Sequence, residues 1–124
     1  MFVIAGNQAL ATDCKLGIIA DLPVKMEGLR ATVPVQVNGK NMSFWLDSGA
    51  FFSLMSEAKA KELDLPLQSL PMGFYVTGTG GTASVQLATI KSFGIVGQEL
   101  KNLQFLAGGS DSGSALIGLN ILSI

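Results

Sequence analysis

The dominant period along this chain is two. Ala31, Val33, Val35 and Val37 alternate with Arg30, Thr32, Pro34 and Gln36, a spacing that puts the apolar set on one face of a strand and the polar set on the other. Pro34 has no N–H to give to a ladder, so it predicts an edge position or a bulge. Asn38-Gly39 follows as a strong hairpin signal, because both residues accept the positive φ that a two-residue turn requires. The return strand carries Met42, Phe44 and Leu46 on one face and Ser43, Trp45 and Asp47 on the other.

Residues 51–55 predict a short strand, and Ser56 is a suitable N-cap for one helix over residues 57–63, with Glu57 at its positive end. Pro66 and Pro71 bracket a loop. Beyond it, residues 74–77 and 84–88 flank Gly78-Thr79-Gly80-Gly81 and read as a mobile hairpin. Further strands are predicted at residues 95–96 and 103–106, around a Gly97-Gln98-Glu99 turn, and an apolar segment at residues 115–122 closes the pattern.

The chain has 124 residues, 48% of them hydrophobic, which suits one domain with a substantial core. Eight basic residues against nine acidic ones give a net charge of -1, and Arg30 is the only arginine. No basic run or aromatic-plus-arginine stripe is present, which excludes nucleic acid as a partner. The chain contains no histidine, so Ser-His-Asp and Cys-His hydrolases and histidine-ligated zinc are excluded. The single cysteine, Cys14, can form neither an internal disulfide nor a thiolate metal cage.

Residues 1–23 read as a separate N-terminal segment, either the remnant of an export signal or an interface arm. Ala9-Leu10-Ala11 resembles the small-residue end of such a signal, although no basic region precedes it. A periplasmic or otherwise exported location is the expectation, with the cytoplasm left open. No run reaches the ~18 apolar residues of a membrane span.

Carboxylate chemistry is what survives these exclusions. Asp47 ends the apolar stretch Phe44-Trp45-Leu46 and enters the turn Ser48-Gly49-Ala50. An acid leaving a hydrophobic strand into a tight turn is predicted to be rigidly held and partly desolvated, the condition that moves a carboxyl toward acid/base work. Residues 78–83 also fit the nucleotide-binding pattern G-x-G-x-x-A, but Ala83, Val85 and Leu87 continue at period two instead of opening a helix. A second Asp-Ser-Gly, Asp111-Ser112-Gly113, follows Gly108-Gly109-Ser110 in place of an apolar strand and reads as a solvated loop.

Taken in order, a hairpin ending in apolar-apolar-Asp-Ser-Gly-Ala, a short helix, a glycine-tipped hairpin and a late Ile117-Gly118 resemble the retropepsin-like, single-domain aspartic proteases, with a bacterial member expected. The resemblance spans roughly residues 24–124, taken as the protease domain. It implies a mainly β, closed-barrel acid-protease lobe, with one short helix after the catalytic loop and another at the C-terminus. It implies an aspartic endopeptidase needing no metal or cofactor, acting on peptide or protein substrates. Water would be activated between two Asp47 carboxylates of a homodimer that share one proton.

By the same resemblance Ser48, Gly49, Ala50, Gly118 and Asn120 support the catalytic loop, and Val76, Thr77, Gly78, Thr79, Gly80 and Gly81 form a substrate-covering flap. Ser48 is expected to orient the carboxylate through its hydroxyl or its backbone N–H. Retroviral members usually carry an arginine after the late glycine, where this chain has Leu119, so a bracing ion pair is missing and a weak dimer is implied. The alternative is a non-catalytic, peptide-binding β domain that keeps the protease-like fold.

Overall fold

Backbone pairing turns the period-two pattern into nine strands and two short helices among the described residues. The structure, a computed structural model, describes residues 17–18, 20–78, 80–109 and 115–124. The readings made for residues 1–16, including Cys14, and for Asp111-Ser112-Gly113 lie outside the described residues. In chain order the elements are β1 (Lys25–Glu27), β2 (Arg30–Val37), β3 (Lys40–Leu46), β4 (Leu54–Met55), α1 (Glu57–Glu62), β5 (Leu67–Ser69), β6 (Tyr75–Gly78), β7 (Gly81–Ile95), β8 (Gln98–Gly108), β9 (Ala115–Ile117) and α2 (Leu119–Leu122). Neither helix is long and apolar enough to cross a membrane.

The sheet runs β1-β2-β3-β9-β4-β8-β7-β5, with β6 paired to β7 and a further ladder between β2 and β7. Asn38 and Gly39 take φ of 49° and 84°, so β2 and β3 meet through the predicted two-residue turn. Thr32 ends the ladder with β1 and Val35 begins the one with β7, which leaves Pro34 in the gap where β2 changes neighbours. Its missing N–H costs no bond on that side.

Inward alternation builds the core. Val33, Val35, Val37, Phe44, Ile90, Phe93, Phe105 and Ile117 are all buried, and burial of each such side chain contributes about 1.5–3 kcal/mol. Phe44, Phe93 and Phe105 form a triangle with ring centroids 5.7–6.0 Å apart. Helix α1 starts where predicted: the Ser56 hydroxyl accepts the Lys59 N–H at 3.0 Å, and Ala60 faces the core.

Three boundaries differ from expectation. The strand predicted at residues 51–55 shrinks to β4, because Phe51 and Phe52 bend outward and are exposed. The loop between Pro66 and Pro71 contains β5, which pairs along β7. Strand β7 is continuous through residues 89–94, and the turn after it is Val96-Gly97, with φ of 50° and 71°, so Gln98 and Glu99 already belong to β8. Pairing with β2, β5, β6 and β8 holds β7 extended over its whole length. A strand therefore follows the Gly78–Gly81 tip, which removes the helix a nucleotide-binding reading needs.

Candidate active site

Strand β3 runs parallel to β9, with Trp45 opposite Leu116 and Leu46 opposite Ile117. The pairing extends one residue further, as the Asp47 N–H donates to the Ile117 carbonyl at 3.0 Å. The chain then turns. Ala50 N–H donates to the Asp47 carbonyl at 3.2 Å, and Gly49 N–H donates to Asp47 Oδ1 at 2.9 Å. The carboxylate is thus held by its own turn, and the donor is Gly49, not Ser48 as expected. A Cβ on Gly49 would lie 3.1 Å from that same oxygen.

The late glycine locks this turn from the other side. Leu119 N–H donates to the Ala50 carbonyl at 2.8 Å, and Asn120 N–H to the Phe51 carbonyl at 3.0 Å. Between β9 and α2, Gly118 is so close to the loop that a Cβ would stand 2.6 Å from the Phe52 oxygen and 2.8 Å from the Ala50 oxygen. The structure therefore brings Asp47, Gly49, Ala50, Gly118 and Asn120 together in one hydrogen-bonded unit.

One member of that unit was missed. Ser53, fully buried, gives both its N–H and its hydroxyl to Asn120 Oδ1 at 2.8 Å, while its Oγ accepts the Gly118 N–H at 3.0 Å. The signal for it was present: a lone hydroxyl in the run Phe51-Phe52-Ser53-Leu54-Met55, where a buried polar group needs a partner.

The expected desolvation of Asp47 is not found in the single chain. Asp47, Ser48 and Gly49 are exposed, because β3 ends at Leu46 and the turn projects beyond the sheet. Next to the turn, Phe51 and Phe52 expose 68% and 41% of their surface, and their rings meet edge to face at 4.7 Å. On the outer face of β3 the Arg30 guanidinium lies 3.8 Å above the Trp45 ring, a contact worth about 0.5–1 kcal/mol at an exposed position. Among the described residues, a carboxylate held below its ordinary range lies away from this turn: Glu99, beside Val96-Gly97, is stabilised as the anion first by Lys101 and then by the Ser92 hydroxyl.

The glycine-tipped hairpin is a separate unit. Tyr75 pairs with Ser84 and Gly78 with Gly81, and the Thr77 and Thr82 hydroxyls meet at 3.1 Å. Thr79 lies outside the described residues. Val76 is half-buried while Thr77, Gly78, Gly80 and Gly81 are exposed, and among the described residues no hydrogen bond joins this hairpin to the Asp47 turn. β6 pairs with β7 alone among the described strands, which leaves its other edge open.

A family model described as "gag-polyprotein putative aspartyl protease" matches residues 33–124, from within β2 to Ile124. The chain belongs to that family. Membership confirms the resemblance to retropepsin-like proteases, and solved structures agree in fold. A retropepsin-like aspartic protease from Rickettsia conorii superposes with a TM-score of 0.60 at 23% identity, covering 76% of this chain and 78% of that one. EIAV protease in complex with the inhibitor HBY-793 gives 0.61 at 23% identity, covering 80% and 92%. The retroviral protease-like domain of Ddi1 from Leishmania major gives 0.52 at 22% identity, covering 74% of each chain. A search of curated proteins gave no match. Within this family the mainly β architecture with two short helices stands as expected.

Proposed function

We propose that the chain is an aspartic endopeptidase that works as a homodimer, each copy contributing one Asp47. The observation that carries this reading is the Asp47 carboxylate, fixed by the Gly49 N–H at the end of β3 and backed by Gly118, in a chain of an aspartyl protease family. Peptide hydrolysis by a carboxylate pair needs one charged and one neutral member. The charged one takes a proton from water as its oxygen attacks the scissile carbonyl, and the neutral one hydrogen-bonds the carbonyl oxygen. The amine then leaves with a proton returned from the pair.

Exposure of Asp47 in one chain supports pairing with a second copy, because a two-fold axis at this turn would supply both the second carboxylate and the missing desolvation. Exposed Phe51, Phe52 and Leu119 flank the turn with apolar surface. Hairpin β6–β7 would act as the flap, with residues Val76 to Gly78 offering the open edge of β6 to an extended substrate backbone.

The test is cleavage of peptides with apolar centres between about pH 4 and 7, the range a shared-proton pair favours. Cleavage blocked by a pepstatin-type inhibitor is the expected result. Binding of the same peptides without cleavage would favour the non-catalytic alternative. Without a bracing arginine at position 119, the dimer is expected to be weak. Specific activity should therefore rise with protein concentration, in step with the dimer fraction measured by sedimentation. Activity per chain that is constant on dilution into a monomeric regime would contradict the paired site.

Gly80→Ala separates flap closure from folding. A Cβ there meets nothing within 4 Å, so stability should change by no more than about 0.5 kcal/mol. Peptidase activity should nevertheless fall, as the tip comes down on a substrate that leaves no room for the methyl group. Unchanged kcat/KM would show that the tip does not close over substrate.

A further inference from the structure

The geometry points to Ser53 as a positioning residue for the Asp47 carboxylate, one that sets how far apart two such carboxylates stand in the dimer. The inference rests on the proposed peptidase reading. Ser53 is 0% exposed, and its hydroxyl lies between a group that can only donate, the Gly118 N–H at 3.0 Å, and a second oxygen or nitrogen, the Asn120 amide. The direction of the chain of hydrogen bonds is thereby determined. Ser53 Oγ must accept from Gly118, so its own hydrogen goes to Asn120, and Asn120 must present its oxygen, which also receives the Ser53 N–H.

Ser53 also ties the turn to the sheet, because its carbonyl accepts the Leu106 N–H at 3.0 Å from β8. The loop from Asp47 to Ser53 is therefore pinned at both ends to residues 117–120. At one end Asp47 N–H holds the Ile117 carbonyl, and at the other the Ser53 hydroxyl holds Gly118, the next residue along. Removing the hydroxyl leaves a buried Gly118 N–H without a partner and loosens that end of the loop, which is then held by the backbone bonds of residue 53 to Asn120 Oδ1 and Leu106. The Gly49 bond to Asp47 Oδ1 is internal to the turn and survives, so the turn shifts as a whole and the carboxylate keeps its own conformation.

A shift of the whole turn acts on the pair. Repulsion between two carboxylates falls with their separation, so displaced turns bring the two apparent titration steps of the pair closer together and narrow the pH range in which one proton is shared. Asp47 is the one ionisable side chain in residues 47–55, 104–109 and 115–122, so a changed profile reports on that pair.

The experiment compares the full chain with Ser53→Ala and Ser53→Thr at concentrations where sedimentation shows equal dimer fractions. Expected for Ser53→Ala is a kcat lowered about 10- to 100-fold, the scale of an ångström-level misplacement, with KM little changed and a narrower pH profile. Ser53→Thr, which keeps the hydroxyl, restores the wild-type width and most of kcat. Should Ser53→Ala not fold, Ser53→Cys carries the test, with an intermediate kcat and a narrowed profile expected. A wild-type kcat and profile in the folded variant would overturn the inference, as would a Ser53→Thr variant as impaired as Ser53→Ala. A wild-type chain with no Asp47-dependent cleavage is a different result: it overturns the peptidase reading, and this inference with it.

Discussion

Replacing Asp47 with asparagine is expected to lower peptide cleavage by about 10,000-fold or more while the protein stays folded. General acid/base catalysis contributes up to about that factor, and the substitution removes both carboxylates of the dimer at once. The fold is spared because an asparagine oxygen can accept the Gly49 N–H as Asp47 Oδ1 does at 2.9 Å, and because the position is exposed. Stability should stay within about 0.5 kcal/mol. Mixing makes the test sharper. When wild-type and Asp47→Asn chains exchange freely at equal concentrations, about a quarter of the dimers pair two intact copies, and activity per wild-type chain falls accordingly. Activity that stays proportional to wild-type chain alone would mean that a single Asp47 suffices.

Gly118→Ala is expected to produce the largest loss of stability from a single methyl group. The added Cβ would stand 2.6 Å from the Phe52 oxygen, 2.7 Å from its carbonyl carbon and 2.8 Å from the Ala50 oxygen. All three are backbone atoms of the turn, so relief requires moving the loop and not a side chain. Overpacking of this kind costs about 3 kcal/mol, which lowers the melting temperature of a domain this size by about 10–15 °C. Gly49→Ala should be milder, since its Cβ would meet only the Asp47 carboxylate oxygen, at 3.1 Å, and that group can rotate. Thermal unfolding of the two variants checks the order. A Gly118→Ala chain melting with the wild type would show that residue 118 is not packed against the turn.

The contrast between these glycines shows what was legible in the sequence. Elements determined by neighbouring residues were readable: the Asn38-Gly39 turn, the inward set Val33, Val35 and Val37, and the Ser56 cap all depend on contacts within a few residues. The Asp47 turn was readable as a motif, and Gly118 and Asn120 through resemblance to a family. Ser53 was not, because the side chain that satisfies it lies 67 residues away. Strand β5, hidden between two prolines, and the unbroken length of β7 are likewise products of pairing across the sheet. The exposure of Asp47 departs from the sequence expectation for a related reason. Apolar residues before an acid in sequence do not enclose it once the strand has ended, and the enclosure must come from another surface.

In the proposed enzyme that surface is a second copy of the chain. The most direct measurement is the distance between the two Asp47 carboxyl groups in a crystal structure of the protein grown at high concentration. A two-fold axis at the turn and carboxyl oxygens within hydrogen-bonding range of each other, about 3 Å, are the expected result. Asp47 carboxylates in separate solvent-filled surroundings, with no two-fold pairing of the turns, would contradict it.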